Sequence, residues 1–201
     1  DFTGAVSVSG EDVALRDLSA LILGASTVSG NLSVQTGGEL TQNGALAVTG
    51  TTGITAGAAN NIRLNHASND FTGAVSIAAG KDVNLLDTNA LELGASSISG
   101  NLTVQTGGAL TQTGALTVSG ATGLTAKNAE NNPQDITLAN GSNNFIGSVS
   151  VVSGNNVSLK DGSGGITIGS SNVSGNLTVA SIGFPAGINL VGAITKDSGA
   201  D

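Results

Sequence analysis

Residues 31–55, NLSVQTGGELTQNGALAVTGTTGIT, return as NLTVQTGGALTQTGALTVSGATGLT at residues 101–125. Eighteen of the 25 positions are identical at a separation of 70. A period of that length marks a stacked array of supersecondary units, not a single globular core. Working outward, DFTGAVS at residues 1–7 recurs at 70–76, and a looser copy, NFIGSVS, occupies 144–150. The repeats therefore span 1–69, 70–143 and a partial 144–201, expected to form one continuous solenoid over 1–201. The sequence opens inside one repeat and closes inside another, the pattern expected of a piece of a longer polypeptide.

Apolar residues recur at i and i+2, which puts both side chains on one face of a strand. The first repeat carries Val6/Val8, Val13/Leu15, Leu21/Leu23, Leu32/Val34, Leu40, Leu46/Val48, Ile54 and Ile62/Leu64. The second carries Val75/Ile77, Val83/Leu85, Leu91/Leu93, Leu102/Val104, Leu110, Leu116/Val118, Leu124 and Ile136/Leu138. Ser-Gly, Gly-Gly, Asn-Gly and Thr-Gly steps separate them, each a turn former. No segment shows the 3.6-residue period of a helix. The spacing predicts an all-β chain: a single-stranded, right-handed parallel β-helix with three short strands per coil. Nine segments in the first 69 residues imply three coils of about 23 residues each, with a coil of about 20 as the alternative. Phe2, Phe71 and Phe145 share one place in the repeat and are expected to fill the core or a corner, the alternative being an aromatic platform for sugars; Phe184, beside Pro185, lies outside that pattern.

With 14 acidic and 6 basic residues the net charge is −8, and the basic residues are scattered. That is a poor match for nucleic acid or an anionic membrane surface. No run of about 18 apolar residues exists, so no membrane-spanning helix is encoded. The absence of Cys removes disulfides, thiolate metal sites and a thiol nucleophile.

Strings such as SGNLTVQTGGALTQTGALTVSGATGLTA resemble the β-helical shafts of filamentous-haemagglutinin-type adhesins and related exported bacterial β-strand-repeat proteins. The resemblance covers the whole chain and rests on its Gly/Asn/Ser/Thr turns, Val/Leu/Ile pairs, negative charge and lack of Cys. It implies a stiff rod at the surface of a Gram-negative bacterium, exported with an outer-membrane secretion partner. The open coil edges of a solenoid are expected to pair end to end with flanking repeats or further copies, and host surfaces or glycans are the candidate contacts. The 70-residue period is longer than the single-coil repeat of that family.

Few residues invite chemistry. His66 is the only histidine; its counterpart in the second repeat is Asn140 and no nucleophile motif accompanies it, so it reads as a polar turn residue. Asp17, Asp87 and Asp161 recur just after strand pairs, in RDLS, LDTN and KDGS. Recurrence at the repeat spacing favours turn carboxylates bonded to nearby backbone, with calcium at the turns as the functional alternative. Gly162–Gly165 lacks the Lys-Ser/Thr of a phosphate loop, and no cofactor motif appears elsewhere. Sequons at Asn31, Asn101, Asn156 and Asn176 are glycosylation candidates only in a eukaryotic secreted protein.

One surface feature stands apart. Ile54 aligns with Leu124 at a spacing of 70 but Ile62 with Ile136 at 74, so four extra residues lie in AKNAENNPQD. An insertion in a solenoid leaves the wall as a loop, and Lys127, Asn128, Glu130, Asn131, Asn132 and Asp135 are the candidate binding residues. The expected function is a structural, non-enzymatic rod segment; the alternatives are a carbohydrate-active β-helix enzyme with clustered carboxylates, or a glycan- or ice-binding solenoid.

Overall fold

In the computed structural model, residues 1–182 and 187–196 are described; Phe184, Pro185 and most of the GFPAG turn fall outside them. The chain is a right-handed parallel β-helix of about nine turns, with no α-helix among the described residues. At about 4.8 Å per coil the rod is on the order of 40–45 Å long.

Its cross-section has two walls, A and B. In the coil that starts at Leu32, wall A is one strand, Leu32–Thr36, and wall B is split into Leu40–Gln42 and Leu46–Val48. Three strands per coil are thus present, as expected, but of unequal length. Inward residues alternate strictly: Leu32, Val34 and Thr36 are buried while Ser33 and Gln35 are exposed. The inward stacks of Leu, Val and Ile form one dry core along the rod.

The register corrects the coil count. From Val13–Asp17 the chain runs long strand, split wall, long strand, and so on, through Val75–Ala79, before the second repeat starts its own long strand, Val83–Asp87. One repeat is therefore seven half-turns, three and a half coils of about 20 residues, not three of 23. Seven being odd, the second repeat is turned by half a revolution. Leu32–Thr36 stacks on wall A, where Leu32 pairs Thr52 and Val13. Its copy Leu102–Thr106 stacks on wall B, where Leu102 pairs Val83, itself paired to Ile62. The third repeat returns to wall A with Val157–Asp161. The extra segment that the apolar pairs conceal is Ser26–Val28, and likewise Ser96–Ile98, in which one inward position is a serine. That serine is buried and bridges coils: Val8 N–H donates to Ser26 Oγ at 3.1 Å, and Ile77 N–H to Ser96 Oγ at 3.1 Å.

Corners approach so closely that some admit only glycine. A Cβ on Gly114 would sit 2.1 Å from Ala95 N, and one on Gly44 would sit 2.3 Å from Ala25 N. Phe71 and Phe145 are buried core fillers, which removes them as a sugar platform. Phe2 departs from that expectation: it lies at the first coil and is 44% exposed.

Candidate functional site

The three recurrent aspartates lie where the long-split alternation breaks. There a two-residue strand, Asp70–Phe71 or Asn144–Phe145, is covered only by the end of the next long strand, and the aspartate at that end replaces a backbone acceptor. Phe71 N–H donates to Asp87 Oδ2 at 2.7 Å and Asn89 N–H to Asp87 Oδ1 at 2.8 Å. Phe145 and Ser163 do the same for Asp161, both at 2.7 Å. Phe2 and Ser19 do so for Asp17, at 2.9 and 2.7 Å. Both oxygens of each carboxylate are thus engaged by backbone, the turn arrangement that recurrence suggested. Asp17 and Asp161 stand on wall A and Asp87 on wall B, so the structure does not bring them together. Among the described residues no three His, Asp or Glu side chains gather as metal ligands.

Their electrostatics differ. Burial pushes the Asp87 carboxyl up to about 6 against the two N–H bonds it receives, with Asp70 adding repulsion. The N–H groups of Ser19 and then Phe2 hold Asp17 below the ordinary carboxylate range.

Sequence reading passed over the buried amides beside these aspartates. Asn69 and Asn143 are wholly buried. Gln112 Nε2 donates to Asn143 Oδ1 and Asn143 Nδ2 to Gln112 Oε1, both at 2.9 Å, while Leu116 N–H also donates to Oδ1 at 2.9 Å. Gln42 and Asn69 form the same clasp, with Leu46 N–H in the third place. Each clasp ties the two pieces of a split wall. The available signal was recurrence, Gln42/Gln112 and Asn69/Asn143 being repeat partners.

His66 sits in the turn before Asn69. Its Nδ1 accepts from Ser68 N–H at 3.2 Å, and Asn140 Oδ1 accepts from Ser142 N–H at 2.9 Å in the second repeat. The imidazole therefore occupies the place of a turn amide. The sequon asparagines line a corner ladder: Asn31 N–H donates to Asp12 at 2.7 Å, and Asn31 Oδ1 accepts from Thr51 N–H at 2.9 Å. Asn101 and Asn156 repeat this on Asp82 and Asp135, and Asn176 N–H donates to Asn156 Oδ1. Asp135 thus belongs to the ladder and not to the neighbouring insertion; the N–H of Asn156 is the main cause holding its carboxyl low.

The insertion leaves the wall as a short hairpin. Lys127 bridges Pro133 antiparallel, Gln134 N–H donates to Ala126 O at 2.8 Å, and Asn128 N–H to Asn132 O at 3.0 Å. Asn131 takes φ 63°, a left-handed conformation that asparagine tolerates. Asn128 Oδ1 accepts from Asn132 N–H at 2.8 Å and fixes the turn. The hairpin overhangs a corner built by three lower coils, and between them lies a cleft of about 390 Å³. Lys127, Asn128 and Asn131 line its upper side, Thr88, Gln105 and Asp87 the lower. Of the candidates named from sequence, Asp87 and these three hairpin residues come together; Glu130, Asn132 and Asp135 do not line the cleft, and Asp17 and Asp161 lie on the other wall.

Residues 10–78 and 80–152 match, as two consecutive copies, a family of repeats of unknown function (DUF5649), and the chain belongs to that family. No curated protein and no solved structure matches it.

Proposed function

We propose that this repeat chain is a structural segment of a bacterial cell-surface filament or adhesin, a stiff shaft that sets distance and displays its surface. The observation that carries the reading is the handover between repeats. Val75–Ala79 pairs back to Thr52–Thr55 with one register shift and forward from Val75 to Leu93, so both nine-stranded ladders run on from one repeat into the next, while the short four-stranded ladder stops at Asp70–Phe71. A fold of this kind grows by adding copies, each stabilised mainly by its neighbours. The outer rows are mostly small and polar, as in Ser33, Gly53 and Ser76, and in Thr137, Ser158 and Thr178. The surface location and an outer-membrane export partner come from the resemblance to haemagglutinin-type shafts.

The exposed apolar residues support the companion proposal that further coils, from flanking repeats or another copy, stack on the rod. Ile188, Leu190, Val191 and Ile194 of the last described coil are exposed, as is Phe2 of the first. Open parallel edges of this kind pair with other strands. Light scattering over a concentration series is expected to show end-to-end growth, and a strict monomer at high concentration would count against it. The surface role is tested by labelling intact cells of the source organism with an antibody to the chain. Labelling that requires lysis would remove the cell-surface reading.

A further inference from the structure

The geometry points to the cleft under the 127–132 hairpin as a binding site for an anionic saccharide, a short sugar chain whose units carry carboxylates. About 390 Å³ is room for two or three sugar units, and the cleft crosses several coils, so an extended chain can lie along the rod axis.

Its lining is rich in donors. The side chains of Thr88, Gln105, Lys127 and Asn131 make no hydrogen bond or ion pair within the described chain, although all four border the same cleft. Asn128 uses its oxygen on Asn132 N–H, which leaves its Nδ2 to donate. The one carboxylate in the lining, Asp87, is buried and has both oxygens engaged by Phe71 and Asn89 N–H. A chain of net charge −8 thus presents here an unpaired ammonium beside amide and hydroxyl donors. Lys127 suits a carboxylate, and the amides and hydroxyl suit ring hydroxyls and ether oxygens.

The first repeat is an internal control. At the matching corner Thr88 is replaced by Leu18, Lys127 by Gly57 and Asn128 by Ala58, while Gln105 is kept as Gln35. Packing between coils does not need the donors, since Leu18 is 75% exposed. The donor set appears only in the copy that also carries the four-residue insertion.

Titration calorimetry of the whole chain with trigalacturonate, and with maltotriose as the neutral control, tests the site. Trigalacturonate is expected to bind at least tenfold more tightly than maltotriose, and less tightly as salt rises. Lys127→Gln is expected to weaken it about tenfold or more, as loss of a charge-assisted hydrogen bond does. Thr88→Leu, which installs the first-repeat residue, is expected to weaken it several-fold. Deletion of residues 127–130, which restores the first-repeat spacing, should abolish binding while the melting temperature holds. Equal affinity for the two sugars, no saturation by about 10 mM trigalacturonate, or binding that survives both Lys127→Gln and the deletion would overturn the assignment. The shaft reading stands or falls separately, on surface labelling.

Discussion

Replacing Asn143 by alanine tests the amide clasp most directly. Asn143 is wholly buried and its Oδ1 satisfies Gln112 Nε2 and Leu116 N–H, both at 2.9 Å. Its Nδ2 donates to Gln112 Oε1 at 2.9 Å, Lys160 O at 3.1 Å and Leu138 O at 3.2 Å. Truncation orphans one backbone N–H, loosens two carbonyls and removes one partner from each end of the Gln112 amide, which keeps Gly114 O and Asn140 N–H. A buried polar group left without a partner costs about 1–3 kcal/mol. Relaxation of the longer bonds trims the sum, and about 4 kcal/mol is expected. Urea unfolding followed by far-UV circular dichroism gives the loss. Asn69→Ala is the built-in near-duplicate and should agree within about 1 kcal/mol, because Asn69 holds the same groups through Gln42, Leu46 and Leu64 and lacks only the counterpart of the Lys160 O contact. In a double-mutant cycle, Gln112→Ala should couple to Asn143→Ala by about 1–3 kcal/mol. Asn143→Asp keeps the shape but turns an acceptor toward two carbonyls, so its defect should shrink as pH falls and the carboxyl protonates. Losses below about 1.5 kcal/mol for both Asn143→Ala and Asn69→Ala would refute the clasp as the tie between split-wall pieces.

Leu102 is buried between Val83 and Thr122, so Leu102→Asp should cost about 4 kcal/mol or more. Thr103→Asp, exposed one residue on, should cost less than about 1 kcal/mol, and equal losses of melting temperature would contradict the strand phase. The hydroxyls of Thr52 and Thr122 are buried without a partner, so Thr122→Val should stabilise by about 1 kcal/mol; a loss in thermal melts would mean that the hydroxyl is satisfied in solution. For Asp87 the folded carboxyl titrates near 6 against an ordinary 3.8, so the folded state holds the proton more tightly. That contribution, on the order of 2–3 kcal/mol, is complete below about pH 4 and is lost as pH rises through 6. The stability difference between wild type and Asp87→Asn, measured from pH 3.5 to 7.5, should change in that sense, and a flat or opposite difference would exclude it.

Much of the fold was legible because a strand seen from one side has a period of two. Leu102/Val104 in and Thr103/Gln105 out follow from the residues alone. The insertion was legible as well, since counting from Leu124 to Ile136 exposes four extra residues. The half-turn was not. Apolar pairs state which side chains face inward but not which wall they reach, and the hidden segments Ser26–Val28 and Ser96–Ile98 changed the count by one. Asn69 and Asn143 look like turn formers in sequence, and only the coil stacked against them reveals that they are core. The cleft was half legible: the hairpin announced itself, while Thr88 and Gln105 reach it from coils roughly 20 to 40 residues away in sequence, a proximity that only the coil length supplies.

The unit that this sequence duplicates is not a whole number of turns of the fold it builds, and duplication therefore changes facing as well as length. Gain or loss of one repeat in a longer array would shift everything beyond it by about 17 Å and reverse the side it faces. Gain or loss of two would shift it by about twice that and leave the facing intact. A receptor or antibody that recognises the common parts of the repeat would find them on alternating sides of the rod. Recombination among such copies would thus be read by a partner as a parity, odd or even, before it is read as a distance.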